Sequence, residues 1–213
     1  MYTAHYNSIL LSGRVASQAM LSHQSHSEEI YQFYLSCDRL SGKSDVIPIH
    51  FRKSTFDSLS ILQGCRLTVE GEIRSFNNKS GEGAKLVILV FAHSITLDEA
   101  PHRNTALLCG AICRPPIYRE TPLGREICDI MLAVNRRYQK SDYLPCIAWG
   151  SNARMLRDYP VGQTLSFEGR LQSRNYVKLL PEGEVLRTAY EISITNLFYD
   201  HFDLSGSMAH SFP

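Results

Sequence analysis

The chain has 213 residues, 44% of them apolar and 20% charged, with a formal net charge of +1. That length admits one or two domains, the composition excludes a disordered chain, and the near-neutral total excludes a uniformly basic surface. Apolar runs fall short of the roughly 18 to 20 residues that span a bilayer, and Met1 to Ser8 lack a basic stretch followed by an apolar core, so a cytosolic chain with no membrane partner is expected.

In chain order, the first half carries four recognisable runs: Asn7-Ser-Ile-Leu-Leu-Ser-Gly13, Phe33-Tyr-Leu-Ser-Cys-Asp-Arg39, Asp45-Val-Ile-Pro48 and Val69-Glu-Gly-Glu-Ile-Arg-Ser75. Each returns 97 or 98 residues later, as Asn104-Thr-Ala-Leu-Leu-Cys-Gly110, Ile130-Met-Leu-Ala-Val-Asn-Arg136, Asp142-Tyr-Leu-Pro145 and Phe167-Glu-Gly-Arg-Leu-Gln-Ser173. The chain therefore repeats itself once. The runs alternate apolar and polar residues between Gly, Pro, Asn and Ser, which is strand patterning. In the second half, five strands are predicted at roughly Asn104 to Cys113, Glu126 to Asn135, Leu144 to Trp149, Thr164 to Ser173 and Thr188 to Phe198. A short helix is predicted at Ser151 to Tyr159, with its first-half counterpart at Phe56 to Leu62.

Three strands, a helix and two strands is the order of an OB barrel. The expected fold is all-β: two tandem five-stranded OB barrels at residues 1–98 and 104–199, each with one short helix between strands 3 and 4, followed by a frayed tail at 200–213. Gly71 and Gly169 fall inside the fourth strands, where glycine marks a bulge or sharp bend. Alternation turns Phe33, Leu35 and Cys37, and likewise Ile130, Leu132 and Val134, toward the barrel interiors. The segment Leu97 to Arg103 joins the halves.

Six scattered cysteines, Cys37, Cys65, Cys109, Cys113, Cys128 and Cys146, include no CxxC pair and read as reduced, mostly buried thiols. Among eight histidines none has zinc-finger spacing, and His23 and His26 read as a solvated Ser-rich loop, so neither metal nor cofactor is expected. His50 and Asp45 lack a nucleophile, a phosphate-cradling loop or a metal, so no enzyme is expected.

A sequence-tolerant binder of single strands needs aromatic side chains for stacking and Lys or Arg along the backbone track. The second half has both. From Arg114 to Lys178 there are eleven Lys and Arg against six Asp and Glu, while Leu179 to Pro213 has one against five. Tyr138 and Tyr143 flank a hairpin carrying Arg136, Arg137 and Lys140; Trp149 ends the third strand; Tyr176 follows Arg174, with Lys178 beyond. In the first half, Phe51, Arg52, Lys53, Arg74 and Phe76 form the corresponding but poorer set, with Lys79 and Lys85, and Phe51 aligns with Trp149 while Asp45 stands near the position of Tyr143. For each aromatic, packing in the barrel core is the competing reading.

Three stretches, Leu132-Ala-Val-Asn-Arg-Arg-Tyr138, Asp142-Tyr-Leu-Pro-Cys-Ile-Ala-Trp-Gly150 and Phe167-Glu-Gly-Arg-Leu-Gln-Ser-Arg-Asn-Tyr176, are similar to core motifs of the bacterial single-stranded DNA-binding protein family. The resemblance covers about a hundred residues and implies that Tyr138, Tyr143, Trp149 and Tyr176 stack on bases. It further implies roles in DNA replication, recombination or repair, a cytoplasmic, nucleoid-associated location, and replication proteins as partners. A homodimer giving four OB folds is also implied. The family's usual acidic C-terminal tail is replaced here by Leu204-Ser-Gly-Ser-Met-Ala-His-Ser-Phe-Pro213, which points to an accessory or mobile-element member. The alternative is a primosomal or replication-restart adaptor whose barrels mainly bind proteins. OB grooves accept DNA or RNA, so the sequence leaves the nucleic acid open.

Overall fold

The structure, a computed structural model, describes residues 6–57, 61–78, 84–136, 139–180 and 183–198. In chain order it consists of β1 (Tyr6–Val15), β2 (Met20–Ser25), β3 (Glu28–Asp38), β4 (Ser44–Arg52), β5 (Arg66–Asn77), β6 (Leu86–Leu97), β7 (Arg103–Ile112), β8 (Ile117–Glu120), β9 (Glu126–Asn135), β10 (Ser141–Trp149), α1 (Gly150–Leu156), β11 (Thr164–Leu180) and β12 (Gly183–Phe198).

Strand pairing closes on itself twice. β1 pairs with β3, β3 with β4, β4 in parallel with β6, β6 with β5, and β5 with β1. The same cycle recurs as β7, β9, β10, β12 and β11, again with one parallel step between β10 and β12. Each ring is filled by alternating side chains: Phe33, Leu35 and Cys37 are buried in the first, and Ile130, Leu132 and Val134 in the second, as the period-two pattern predicts.

Closure depends on glycine at two equivalent positions. A Cβ on Gly13 would lie 2.3 Å from the Ser36 carbonyl oxygen, and one on Gly110 would lie 2.5 Å from that of Ala133. Only a residue without a side chain lets the first strand of each ring approach the second so closely. The register slips at Glu70/Gly71 and at Glu168/Gly169, so both glycines predicted from sequence sit at bulges where the strands bend.

Three elements differ from expectation. Each half has six strands, because β2 and β8 add hairpin partners to β3 and β9. β2 is largely exposed and lacks an apolar stripe, so only backbone pairing with β3 specifies it; His23 lies on this strand, not in a loop. In the second half α1 buries Ala153 and Leu156. Its expected counterpart at Phe56 to Leu62 is not helical among the described residues there, and residues 58–60 lie outside them. The preceding segment is tied back to β3 instead: Lys53 N–H donates to the Glu29 carbonyl, Lys53 Nζ pairs with Glu29 at 2.6 Å, and Ser54 Oγ bonds Glu28. The expected tail at 200–213 lies outside the described residues.

The rings are fused. β1 runs antiparallel to β7 from Tyr6 opposite Cys109 to Ser12 opposite Arg103, making one twelve-stranded sheet. A pair of equivalent carboxylates, Asp45 and Asp142, both 0% exposed, reinforces the seam. Asp142 Oδ1 accepts from Ser75 N–H at 2.6 Å, while its Oδ2 meets Arg74 at 3.2 Å and Arg136 at 3.0 Å. Asp45 mirrors this by accepting from Ser173 N–H at 2.7 Å and pairing with Arg170 at 2.9 Å and with Arg39. Each half thus places one buried charge on a backbone donor of the other, and the surrounding guanidiniums offset its desolvation.

Candidate nucleic-acid interface

The outward side chains of β10 set the site. Asp142, Leu144, Cys146 and Ala148 point inward and are buried, which turns Tyr143, Pro145, Ile147 and Trp149 to the opposite face. Trp149 is 39% exposed and Tyr143 48%, so both rings present area for stacking. Trp149 is oriented by its Nε1–H, which donates to Ser193 Oγ at 3.2 Å. Tyr143 is anchored through its backbone N–H to Ser75 Oγ, 2.7 Å away in the other half.

β11 and β12 run beyond their predicted ends, pairing as far as Leu180 opposite Gly183. The stretch from Arg174 onward is therefore a two-stranded arm. Alternation places Arg174, Tyr176 and Lys178 on one face of β11, with the Arg174 guanidinium 5.9 Å from the Tyr176 ring centroid. Arg174 and Lys178 are exposed, as is Lys140. Among the described residues none of the three forms an ion pair. Arg137 and Tyr138 lie outside the described residues.

Several expected site residues have other partners. Phe51 is 0% exposed and packs edge-on against Phe33 at 5.9 Å, leaving no face for a base. The pairing register gives the reason. Trp149 lies opposite Ile127 and Arg52 opposite Ile30, so Arg52, not Phe51, is the positional equivalent of Trp149. Likewise Asp45, opposite Cys37, corresponds to Asp142, opposite Val134, and Val46 to Tyr143. Arg52 caps the Phe91 ring at 5.2 Å and pairs with Glu28 at 3.0 Å, while Lys53 is held by Glu29. Arg74 and Arg136 are committed to Asp142, with Arg74 also bonded to Glu72. Among the described residues the free cationic surface is thus richer in the second half.

Where the halves meet on this face, a groove of about 510 Å³ is lined by Tyr34, Pro48, His50 and Phe76 from the first half and by Pro145, Tyr176 and Tyr190 from the second. Sequence reasoning marked only Phe76 and Tyr176 as binding residues there. Tyr34, His50 and Tyr190 were hidden because strand alternation shows which face a residue takes but not what stands across from it. Burial, and then His23, pushes the His50 imidazole down to about 4, so it is neutral near pH 7; burial, and then Tyr34, pushes the Tyr190 phenol up to about 12.

All six cysteines are free, with Cys37, Cys109, Cys128 and Cys146 buried. Burial, and then Asp45, raises the Cys37 thiol to about 12, and burial also raises Cys128 to about 11 and Cys146 further, so these thiols stay protonated. Among the described residues no three His, Cys, Asp or Glu are arranged to hold a metal ion, and no helix is long and apolar enough to cross a membrane.

The model of the Single-strand binding protein family matches residues 103–198. A single-stranded DNA-binding protein of Oceanobacillus iheyensis is 28% identical over 111 residues, which cover 49% of this chain and 66% of that protein. Single-stranded DNA-binding protein 1 of Staphylococcus aureus is 34% identical over 80 residues, covering 34% of this chain and 48% of its own length. The chain spans from about half to just under two thirds of the length of these relatives. The crystal structure of the wild-type single-stranded DNA binding protein from Thermus aquaticus superposes with a TM-score of 0.74 at 20% identity, over 92% of this chain and 93% of that one. Residues 103–198 therefore match the single-strand binding protein family, and the chain as a whole shares its fold with the Thermus aquaticus protein.

Proposed function

We propose that this chain is a sequence-tolerant binder of single-stranded DNA without catalytic activity, built as two tandem OB barrels at residues 1–98 and 104–199. The observation that carries this reading is the outward row on β10, where Trp149 and Tyr143 present half-exposed rings within the segment that matches the family. Tyr176, Arg174, Lys178 and Lys140 extend the same chemistry along the β11–β12 arm and the β9–β10 turn. The mechanism is coating: rings replace the stacking that a single strand lacks, and cations displace counterions from phosphates. No step requires a cofactor or metal.

The barrels act in replication, recombination or repair, in a cytoplasmic, nucleoid-associated setting, and two chains pair to present four barrels. Titration with an oligo-dT of about 35 nucleotides, following fluorescence of the single tryptophan, Trp149, tests the reading. Quenching with submicromolar affinity that weakens with salt is expected, and absence of binding at low salt overturns it.

A further inference from the structure

From the groove between the halves we infer a binding site for unpaired nucleobases that carries one strand from the second half onto the first. This deepens the proposed function and rests on it. The outward rows of β4 and β10 are equivalents, Val46, Pro48, His50 and Arg52 matching Tyr143, Pro145, Ile147 and Trp149. Pro48 and Pro145 both line the groove, so it sits where the two rows meet. Pro145 lies between Tyr143 and Trp149 in the outward row of β10 and also lines the groove, so the row and the groove adjoin.

The walls have the chemistry of base stacking. Tyr34 is 42% exposed and Phe76 49%, and both line the groove together with Tyr176 and Tyr190. Tyr34 is held in place by its backbone, whose N–H donates to Ser17 Oγ at 3.0 Å and whose carbonyl accepts from Ala16 at 2.8 Å. Among the described residues one carboxylate, Glu191, lines the groove, and it is engaged by Gln172 Nε2 at 2.8 Å. Two exposed cations adjoin the opening in sequence: Lys85 beside the lining residues Ala84 and Leu86, and Arg174 against Tyr176. Aromatic walls with cations at the mouth suit a polyanion bearing flat apolar rings. The first half thus takes part through Tyr34, His50 and Phe76, while Arg52 and Lys53 stay paired with Glu28 and Glu29.

The test compares the wild-type chain with Trp149→Ala and with Tyr34→Ala/Phe76→Ala, whose side chains are both at the surface. Each is titrated with oligo-dT of about 35 nucleotides, and its mass in solution is measured. Oligonucleotides carrying 5-iododeoxyuridine are cross-linked to the wild-type chain, and the attached peptides are identified. We expect the double variant to weaken binding at least about tenfold with unchanged mass, and cross-links at Tyr34 or Phe76 as well as in the second half. Full affinity in the double variant with all cross-links between residues 126 and 180 overturns the inference while leaving DNA binding intact. Full affinity with a halved mass overturns it in favour of contact between two copies of the chain. Failure of the wild-type chain to bind removes the underlying function as well.

Discussion

Replacing Asp142 by alanine removes a buried carboxylate that holds a backbone donor and two guanidiniums. Ser75 N–H, 2.6 Å from Oδ1, loses its partner inside the seam, and Arg136 loses the charge that offsets its desolvation while Arg74 keeps only Glu72. Breaking a buried ion pair from one side costs about 3–5 kcal/mol, because the surviving charge stays uncompensated. For a chain of this size each kcal/mol is worth roughly 2–4 °C, so the melting temperature should fall by about 6–20 °C. Asp142→Asn keeps an acceptor for the Ser75 N–H and should recover part of the loss. Urea unfolding of the three proteins gives the free energies directly, provided that the transitions are two-state. A loss below about 1 kcal/mol in Asp142→Ala would refute the reasoning, since water or rearranged side chains would then be satisfying these groups.

Trp149→Ala should weaken oligo-dT binding by about 1–3 kcal/mol, or roughly 5- to 150-fold, with little effect on melting, as read by anisotropy and calorimetry. Lys178→Ala should lower affinity and reduce the slope of log K against log salt by about 0.7, whereas Lys53→Ala, whose charge already pairs with Glu29, should change the slope less. His50 is neutral in the fold because burial lowers it from about 6.5 to about 4. Its contribution to stability is therefore complete above about pH 6.5 and is lost as pH falls toward 4. The ring is only partly buried, so the loss should stay below about 3 kcal/mol, and urea midpoints of His50→Gln should decline less over that range. Gly71→Ala would place a Cβ 2.3 Å from the Phe91 carbonyl and should destabilise by about 1–3 kcal/mol in the same assay.

Much of the architecture was legible in the sequence because strands advertise themselves through period two. The alternation around Phe33 to Cys37 and Ile130 to Val134 reported burial correctly, and the repeat at 97 residues corresponds to the two cycles of strand pairing. Gly71 and Gly169 were readable as bulges because glycine inside a strand has few other uses. The slip that set Phe51 opposite Trp149 came from one residue of register, and in a strand one residue exchanges core for surface. β2 escaped because its specification lies in backbone bonds to β3, which leave no trace in side-chain pattern.

The amino-acid sequence by itself determined the strands of the two pairing cycles and the shared outward face of Tyr143 and Trp149, since these follow from local alternation and need no distant partner. Only the tertiary structure decided which cations are free. Whether Arg136 or Lys178 can meet a phosphate depends on whether Asp142 stands beside it, and that carboxylate finds Arg74 across 68 residues of chain. The groove between the halves belongs to the same class of fact: its walls come from residues far apart in sequence, brought together by the pairing of β1 with β7 and by two buried charges that bridge the seam.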